Sequence, residues 1–143
     1  MVEDMKIMVI DGQGGRMGKS IVEQIKANFP EDEILAIGTN SIATAAMMKA
    51  GADAGATGEN PVIVGSRTAD LIIGPMGIVI ADSLLGEITP QMAVAIGQSQ
   101  AKKILIPVNR CQHFVVGCAE LPLGEYMKMV VEEVRKIKSI CLK

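Results

Sequence analysis

Four glycines crowd the stretch Asp11-Gly12-Gln13-Gly14-Gly15-Arg16-Met17-Gly18, directly after the apolar run Met8-Val9-Ile10. An apolar strand that breaks into glycines and passes at once into an amphipathic segment is suited to holding a phosphate. One glycine makes the sharp turn, a second lets the backbone approach a pyrophosphate, and a third lets helix and strand lie close together. The helix start then offers unpaired N–H groups and the positive end of its dipole to the anion. Read as Gly12-x-x-Gly15-x-x-Gly18, the spacing is a variant of the dinucleotide-binding turn, with Gly14, Arg16 and Met17 as further candidate contacts. Gly18-Lys19-Ser20 invites comparison with a P-loop, which needs four residues between its two glycines. Gly12 leaves five and Gly14 leaves three, so Lys19 and Ser20 fall out of register. The competing reading is a glycine turn that binds nothing.

Other residues able to do chemistry are few. His113 is the single histidine, so no metal cluster and no histidine-based triad can be assembled. Cys111 follows Arg110, whose charge favours a thiolate, against the reading of a buried apolar cysteine. Arg110 is itself a candidate anion clamp. Glu87 is a candidate general base, although its place after Gly86 reads more simply as a solvated turn. Asp11 is expected to cap the first helix rather than to hold a ligand hydroxyl, and Asn60 is likewise expected to cap a helix.

The elements that position these groups alternate along the chain. Residues 5–10 read as a strand, and a helix from about Gly15 to Asn28 buries Met17, Ile21, Val22 and Ile25 at helical spacing, with Pro30 just past its end. Ile34 to Ile37 is a second strand; Asn40 or Ser41 caps a second helix, which Gly51 closes. A short strand is expected within 52–58, and a helix near Asn60-Pro61 is preferred over a strand at Val62-Ile63-Val64. Asp70 to Ile73 reads as a buried strand, Thr89-Pro90 as a helix start, Lys103 to Val108 as another buried strand, and Phe114-Val115-Val116 as an antiparallel edge addition. The last helix, about Leu123 to Ile140, carries the stripe Met127, Val130, Val131, Val134 and Ile137, with Glu132, Glu133, Lys136 and Lys138 outside.

Alternating β and α predicts an α/β fold, a doubly wound and mostly parallel sheet in a Rossmann-like three-layer sandwich, with residues 1–143 as one domain. Ligands of such sheets lie beyond the carboxyl ends of the strands. The loops at that edge are Asp11–Gly18, Gly38-Thr39-Asn40-Ser41, Gly74-Pro75-Met76-Gly77 and Asn109-Arg110-Cys111, whereas Pro30-Glu31-Asp32 at the other end reads as a solvated turn. A protein specific for NAD usually places an acid after the second strand to hold the ribose hydroxyls. Here that position reads Gly38-Thr39-Asn40-Ser41 and carries none. NADP is therefore the favoured cofactor, with Thr39, Asn40 and Arg16 facing a 2′-phosphate; a mononucleotide, a flavin or a phosphorylated metabolite stays open.

Bulk composition narrows the partners. At 143 residues the chain has no separate substrate domain to spare, so a substrate site comes from short loops or from a second subunit. Hydrophobic content of 49 % with 10 Met and 2 % aromatics points to a sheet covered on both faces, with apolar surface left for a homo-oligomer. A net charge of −2 argues against nucleic acid. The apolar stretch Leu71–Ala81 is too short for a membrane span and contains Gly74, Pro75 and Gly77. Three cysteines without C-x-x-C spacing, and a start lacking a signal-peptide pattern, suggest a cytoplasmic protein with reduced thiols.

Nearly the whole chain resembles a small bacterial family, domain-of-unknown-function family 3842. The likeness rests on Ile10–Gly15, Gly38-Thr39-Asn40, Gly55–Asn60, Ile73–Ile78, Gly86–Pro90 and Ile106–Cys111, and it implies a Rossmann-like fold without an established activity. Locally, Gly12–Gly18 is similar to the G-A-x-G-R-M-G turn of dihydrodipicolinate reductases, with Gln13 in place of the alanine. That likeness implies nicotinamide-nucleotide binding at Gly12, Gly15, Arg16, Met17 and Gly18. It does not extend to the histidine-rich catalytic segment or the substrate domain of those enzymes. Three readings result: a nucleotide-binding or regulatory module; a small enzyme acting on a phosphorylated metabolite or using a nicotinamide cofactor, its site completed by a second subunit; and an interaction module without a ligand.

Overall fold

The computed structural model describes residues 4–108 and 112–141. Five strands, β1 Lys6–Asp11, β2 Glu33–Gly38, β3 Ala54–Thr57, β4 Leu71–Pro75 and β5 Lys102–Ile106, form one sheet in the order β3-β2-β1-β4-β5. Every pairing in it is parallel. The helices are α1 Arg16–Asn28, α2 Ser41–Lys49, α3 Glu59–Gly65, α4 Pro90–Gln98 and α5 Leu123–Cys141, with a 3-10 turn at Met76–Val79 after β4.

Two faces follow from the period of two in the central strand. Ile7 and Val9 of β1 join a core with Ile21, Val22 and Ile25 of α1, Met47 of α2, and Val130 and Val134 of α5. Met8 and Ile10 point the other way, to Val62 of α3 and Met92 and Ile96 of α4. The sheet is thus covered on both sides, the three-layer doubly wound arrangement expected from the alternating elements. The chain builds outward from β1 to β3, then α3 carries it back to β4 on the far side of β1. That reversal sets the switch point of the sheet at the carboxyl ends of β1 and β4, the edge where ligands of such sheets bind.

Several local expectations change. Lys102–Ile106 is an edge strand in which only Ile106 is buried, with no strand among the described residues pairing beyond it. Phe114-Val115-Val116 adds no strand, and Phe114 and Val116 are exposed. Gly58, not Asn60, holds the N-cap position of α3, so Asn60 falls inside the first turn. Met17 is half-buried rather than core.

The largest correction concerns the amino-terminal edge of the sheet. Lys138, read from its spacing as solvent-facing, is buried, and both oxygens of the buried Asp32 accept from its Nζ at 2.7 Å. Asp32 also accepts from the Met5 N–H at 2.9 Å, so the β1 start, the α1–β2 turn and the α5 end meet at one carboxylate. Phe29 stacks beneath, with the Lys138 ammonium 5.5 Å and the Arg135 guanidinium 5.2 Å from its ring centre. A lysine next to Ile137 and one turn past Val134 reaches the core because its long stem spans apolar surface while its head meets an acid.

Candidate functional site

The glycine turn is built by its neighbours. The Gly15 N–H donates to the Gly12 carbonyl at 2.9 Å, closing the turn, and Gln13 takes a positive φ of 50° inside it. That conformation is uncommon for a residue with a Cβ, and both sides of its peptide are held. The Gln13 N–H donates to Glu87 Oε1 at 2.9 Å, and the Asn40 amide donates to the Gln13 carbonyl at 2.9 Å. Asp11, buried at the end of β1, accepts from the Gly12 N–H at 2.8 Å and from the Gly18 N–H at 2.7 Å. It caps the first turn of α1 from the strand, the role expected of it. Burial raises the Asp11 carboxyl above the usual carboxylate range; the Gly18 and Gly12 N–H groups oppose that rise, and the nearby Glu87 charge adds to it.

The glycines separate into two kinds. A Cβ on Gly12 would lie 2.5 Å from Thr39 Oγ1 and 2.9 Å from Glu87 Oε1. On Gly15, whose φ is +73°, it would lie 2.8 Å from the Ala43 Cα in α2, and on Gly18 it would strike Met47 and Asp11. Gly74 crosses the Ile10 carbonyl oxygen within 2.5 Å of where a Cβ would stand, and Gly77 packs on Ser83. These five are packing glycines. Gly14 alone among the candidates has nothing within 4 Å of a would-be Cβ. It opens on a cavity of about 330 Å³ bounded by the turn, Arg16 and Met17 on one side and by Val108 and Leu123 on the other.

Glu87 sits half-buried in its turn, tied to three donors. Its Oε1 accepts from the Gln13 N–H, from the Thr39 hydroxyl in a short hydrogen bond, and from the Asn40 amide at 2.9 Å. Burial pushes its carboxyl up, but the donors from Thr39, Gln13 and Asn40 outweigh it and leave the group below the ordinary glutamate range. Thr39 and Asn40, expected to face a ligand, spend their donors on this carboxylate, while Asn40 Oδ1 also caps α2 by accepting from the Ala43 N–H at 2.9 Å. The loop that brings Glu87 over β1 is anchored by buried Leu84 and Ile88 on either side of it. Asp82, Leu84 and Leu85 in that loop all take positive φ. Sequence reasoning singled out Glu87 but missed its partners. The visible signal was the pair of large apolar residues flanking it, which pins a short polar stretch to the core.

The remaining candidates are placed more loosely. Arg16 is exposed on the first turn of α1, and His113 is exposed between β5 and α5. Asn109, Arg110 and Cys111 lie outside the described residues. Among the described residues, no helix is long and apolar enough to cross a membrane.

With the parallel sheet, the glycine turn and its cavity in place, comparison with known families is decisive on one point. The model of a domain of unknown function, DUF3842, matches residues 6–139. The chain belongs to this family. The match spans the whole sheet and all five helices nearly to the end of α5, so the DUF3842 unit and the doubly wound fold coincide. No curated protein matches the chain.

Proposed function

We propose that this DUF3842 protein binds a nucleotide, with its phosphates seated against Gly14, Gly15, Arg16 and Met17, and that it works as a binding or regulatory module. The observation that carries the reading is Gly14. It is the turn glycine without a packing reason to be glycine, and it lines the cavity at the start of α1. A position where backbone must come close to a ligand has that signature. The helix dipole and the exposed Arg16 guanidinium supply the attraction for an anion, since the Gly15 and Gly18 N–H groups are taken by the Gly12 carbonyl and by Asp11. A nicotinamide dinucleotide is the ligand that the turn's likeness to the reductases implies, with a phosphate in the cavity between the turn and Val108 and Leu123.

The enzyme reading has less behind it. Glu87 is held ionised by three donors, which disfavours the proton exchange asked of a general base. A reaction centre would then need Arg110, Cys111 or His113, joined by groups from a second subunit.

The test is a thermal-shift screen of the intact protein with NAD, NADP, FAD, FMN, ATP and CoA, repeated with Gly14→Leu. A ligand at 100 times its Kd adds about 2.7 kcal/mol of stability. The expected result is a shift with at least one nucleotide in the wild type that is lost in Gly14→Leu, whose unliganded melt stays close to wild type. Shifts of equal size in both proteins would refute the phosphate seat at Gly14.

A further inference from the structure

We propose that Glu87 reads the sugar of the bound nucleotide, accepting a ribose with free 2′- and 3′-hydroxyls and rejecting one that carries a 2′-phosphate. This rests on the phosphate seat proposed above and gives it a substrate class, NAD rather than NADP.

In a doubly wound sheet the adenosine ribose lies beside the end of β2, where an acid commonly accepts from its hydroxyls. Here the end of β2 is Gly38, followed by Thr39 and Asn40, and the acid comes from elsewhere in the chain. Glu87, 48 residues beyond Thr39, descends from the loop between β4 and α4 and sets its carboxylate on Thr39, Asn40 and Gln13. The position that looks vacant in the sequence is filled in space.

The two oxygens of that carboxylate have different surroundings. Oε1 takes all three donors, while Oε2 accepts no hydrogen bond from another described residue. One oxygen is spent on fixing the group and the other is left for a ligand. A carboxylate oxygen accepts well from sugar hydroxyls, which are neutral donors. A phosphate monoester brings up to two negative charges and acceptor oxygens to the same point, where it meets a like charge. Glu87 forms no ion pair with a described residue that would cancel its charge. On this proposal the acid missing after the second strand is supplied by Glu87, and the ligand is NAD where the sequence alone pointed to NADP.

The placement is also rigid. The Glu87 N–H donates to the Leu84 carbonyl at 3.1 Å and the Asp82 N–H to the Ile88 carbonyl at 2.7 Å, and the absence of a Cβ on Gly12 makes room for the Thr39–Glu87 pair. A group so held cannot swing away to admit a phosphate without breaking three hydrogen bonds.

The experiment is calorimetric titration of the intact protein with NAD and with NADP, for wild type, Glu87→Gln and Gly14→Leu. Glutamine keeps an acceptor oxygen for Thr39 and Asn40 but removes the charge. We expect wild type to bind NAD at least tenfold more tightly than NADP, and Glu87→Gln to narrow that ratio to threefold or less, chiefly by gaining affinity for NADP. Equal or tighter binding of NADP by wild type overturns the proposal, as does a ratio that Glu87→Gln leaves unchanged. Retention of full NAD affinity in Gly14→Leu removes the phosphate seat while the NAD:NADP ratio still judges Glu87. Binding of neither dinucleotide by wild type overturns the assignment of a ribose reader outright.

Discussion

Glycine does two different jobs in the turn between β1 and α1, and substitution separates them. Gly15 combines a positive φ with a 2.8 Å approach to the α2 backbone, so Gly15→Val forces α1 from α2 whether or not a ligand is present. A loss of several kcal/mol is expected, the sum of backbone strain and overpacking, and it is read as a large fall in melting temperature without ligand. Gly14→Val meets open space and should stay within about 1 kcal/mol of wild type. Similar losses in the two variants would show that the turn is a packing device throughout. Gln13 offers the converse test. Its φ of 50° suits glycine better, and Gln13→Gly keeps both peptide hydrogen bonds, so urea denaturation should show a change between zero and about 1 kcal/mol in favour of the variant. The candidate glycines were legible in the sequence as a group. Which of them face a neighbour and which face a cavity depends on α2 and on the loop before α4, and no spacing rule carries that information.

At the scale of elements, α5 and the β2–β3 connection are fastened to the sheet by charge as well as by apolar surface. Lys138 is buried against Asp32, and removing one partner of a buried pair leaves the other uncompensated. Lys138→Ala is expected to cost about 3 kcal/mol by chemical denaturation, whereas Lys128→Ala, at an exposed i,i+3 pair with Glu125, should cost well under 1 kcal/mol. Equal effects would show that the amino-terminal edge is as loosely held as the surface. Asp53 makes the second fastening. It accepts from Lys26 Nζ at 2.6 Å and from the Ile34 N–H at 2.7 Å, and these two donors draw its carboxyl below the usual range. The helical stripe of α5 was readable because period and burial agree over Met127, Val130 and Val134. Lys138 was not, since a lysine is assigned to solvent unless the acid that meets it is known, and that acid is 106 residues away.

For the whole molecule, the dependence of stability on pH joins these sites. Glu87 and Asp53 both have lowered folded-state values, so their contributions are complete above the ordinary carboxylate range and are lost as pH falls through the folded values. Asp11 acts in the opposite sense. Its raised value makes the folded chain hold the proton more firmly, so its contribution is complete below the unfolded value and declines as pH rises toward the folded one. The melting temperature should therefore fall below about pH 4, and Asp53→Asn should be less stable at pH 7 with a flatter acid limb. An acid limb of unchanged slope in that variant would remove Asp53 from the linkage. Exposed Leu85, Phe114 and Val116 are apolar surface suited to a second copy, and we propose a homo-oligomer. Sedimentation equilibrium is expected to give at least twice the chain mass, and a monomer at all concentrations would refute it.

Taken by itself, the sequence determined the class and order of the elements, because period-two and period-3.6 apolar patterns, glycine breaks and caps such as Asn40 and Thr89 are local signals. It also placed the glycine turn at the carboxyl edge, since that edge follows from alternation of strand and helix. Only the tertiary structure decided that β5 is an edge strand, that Asp32 and Lys138 meet, and that Glu87 stands over Thr39 and Asn40. Each of these joins residues distant in the chain. A side chain's partner across such a distance is set by how helices stack on the sheet, which the order of residues implies only through the folded core.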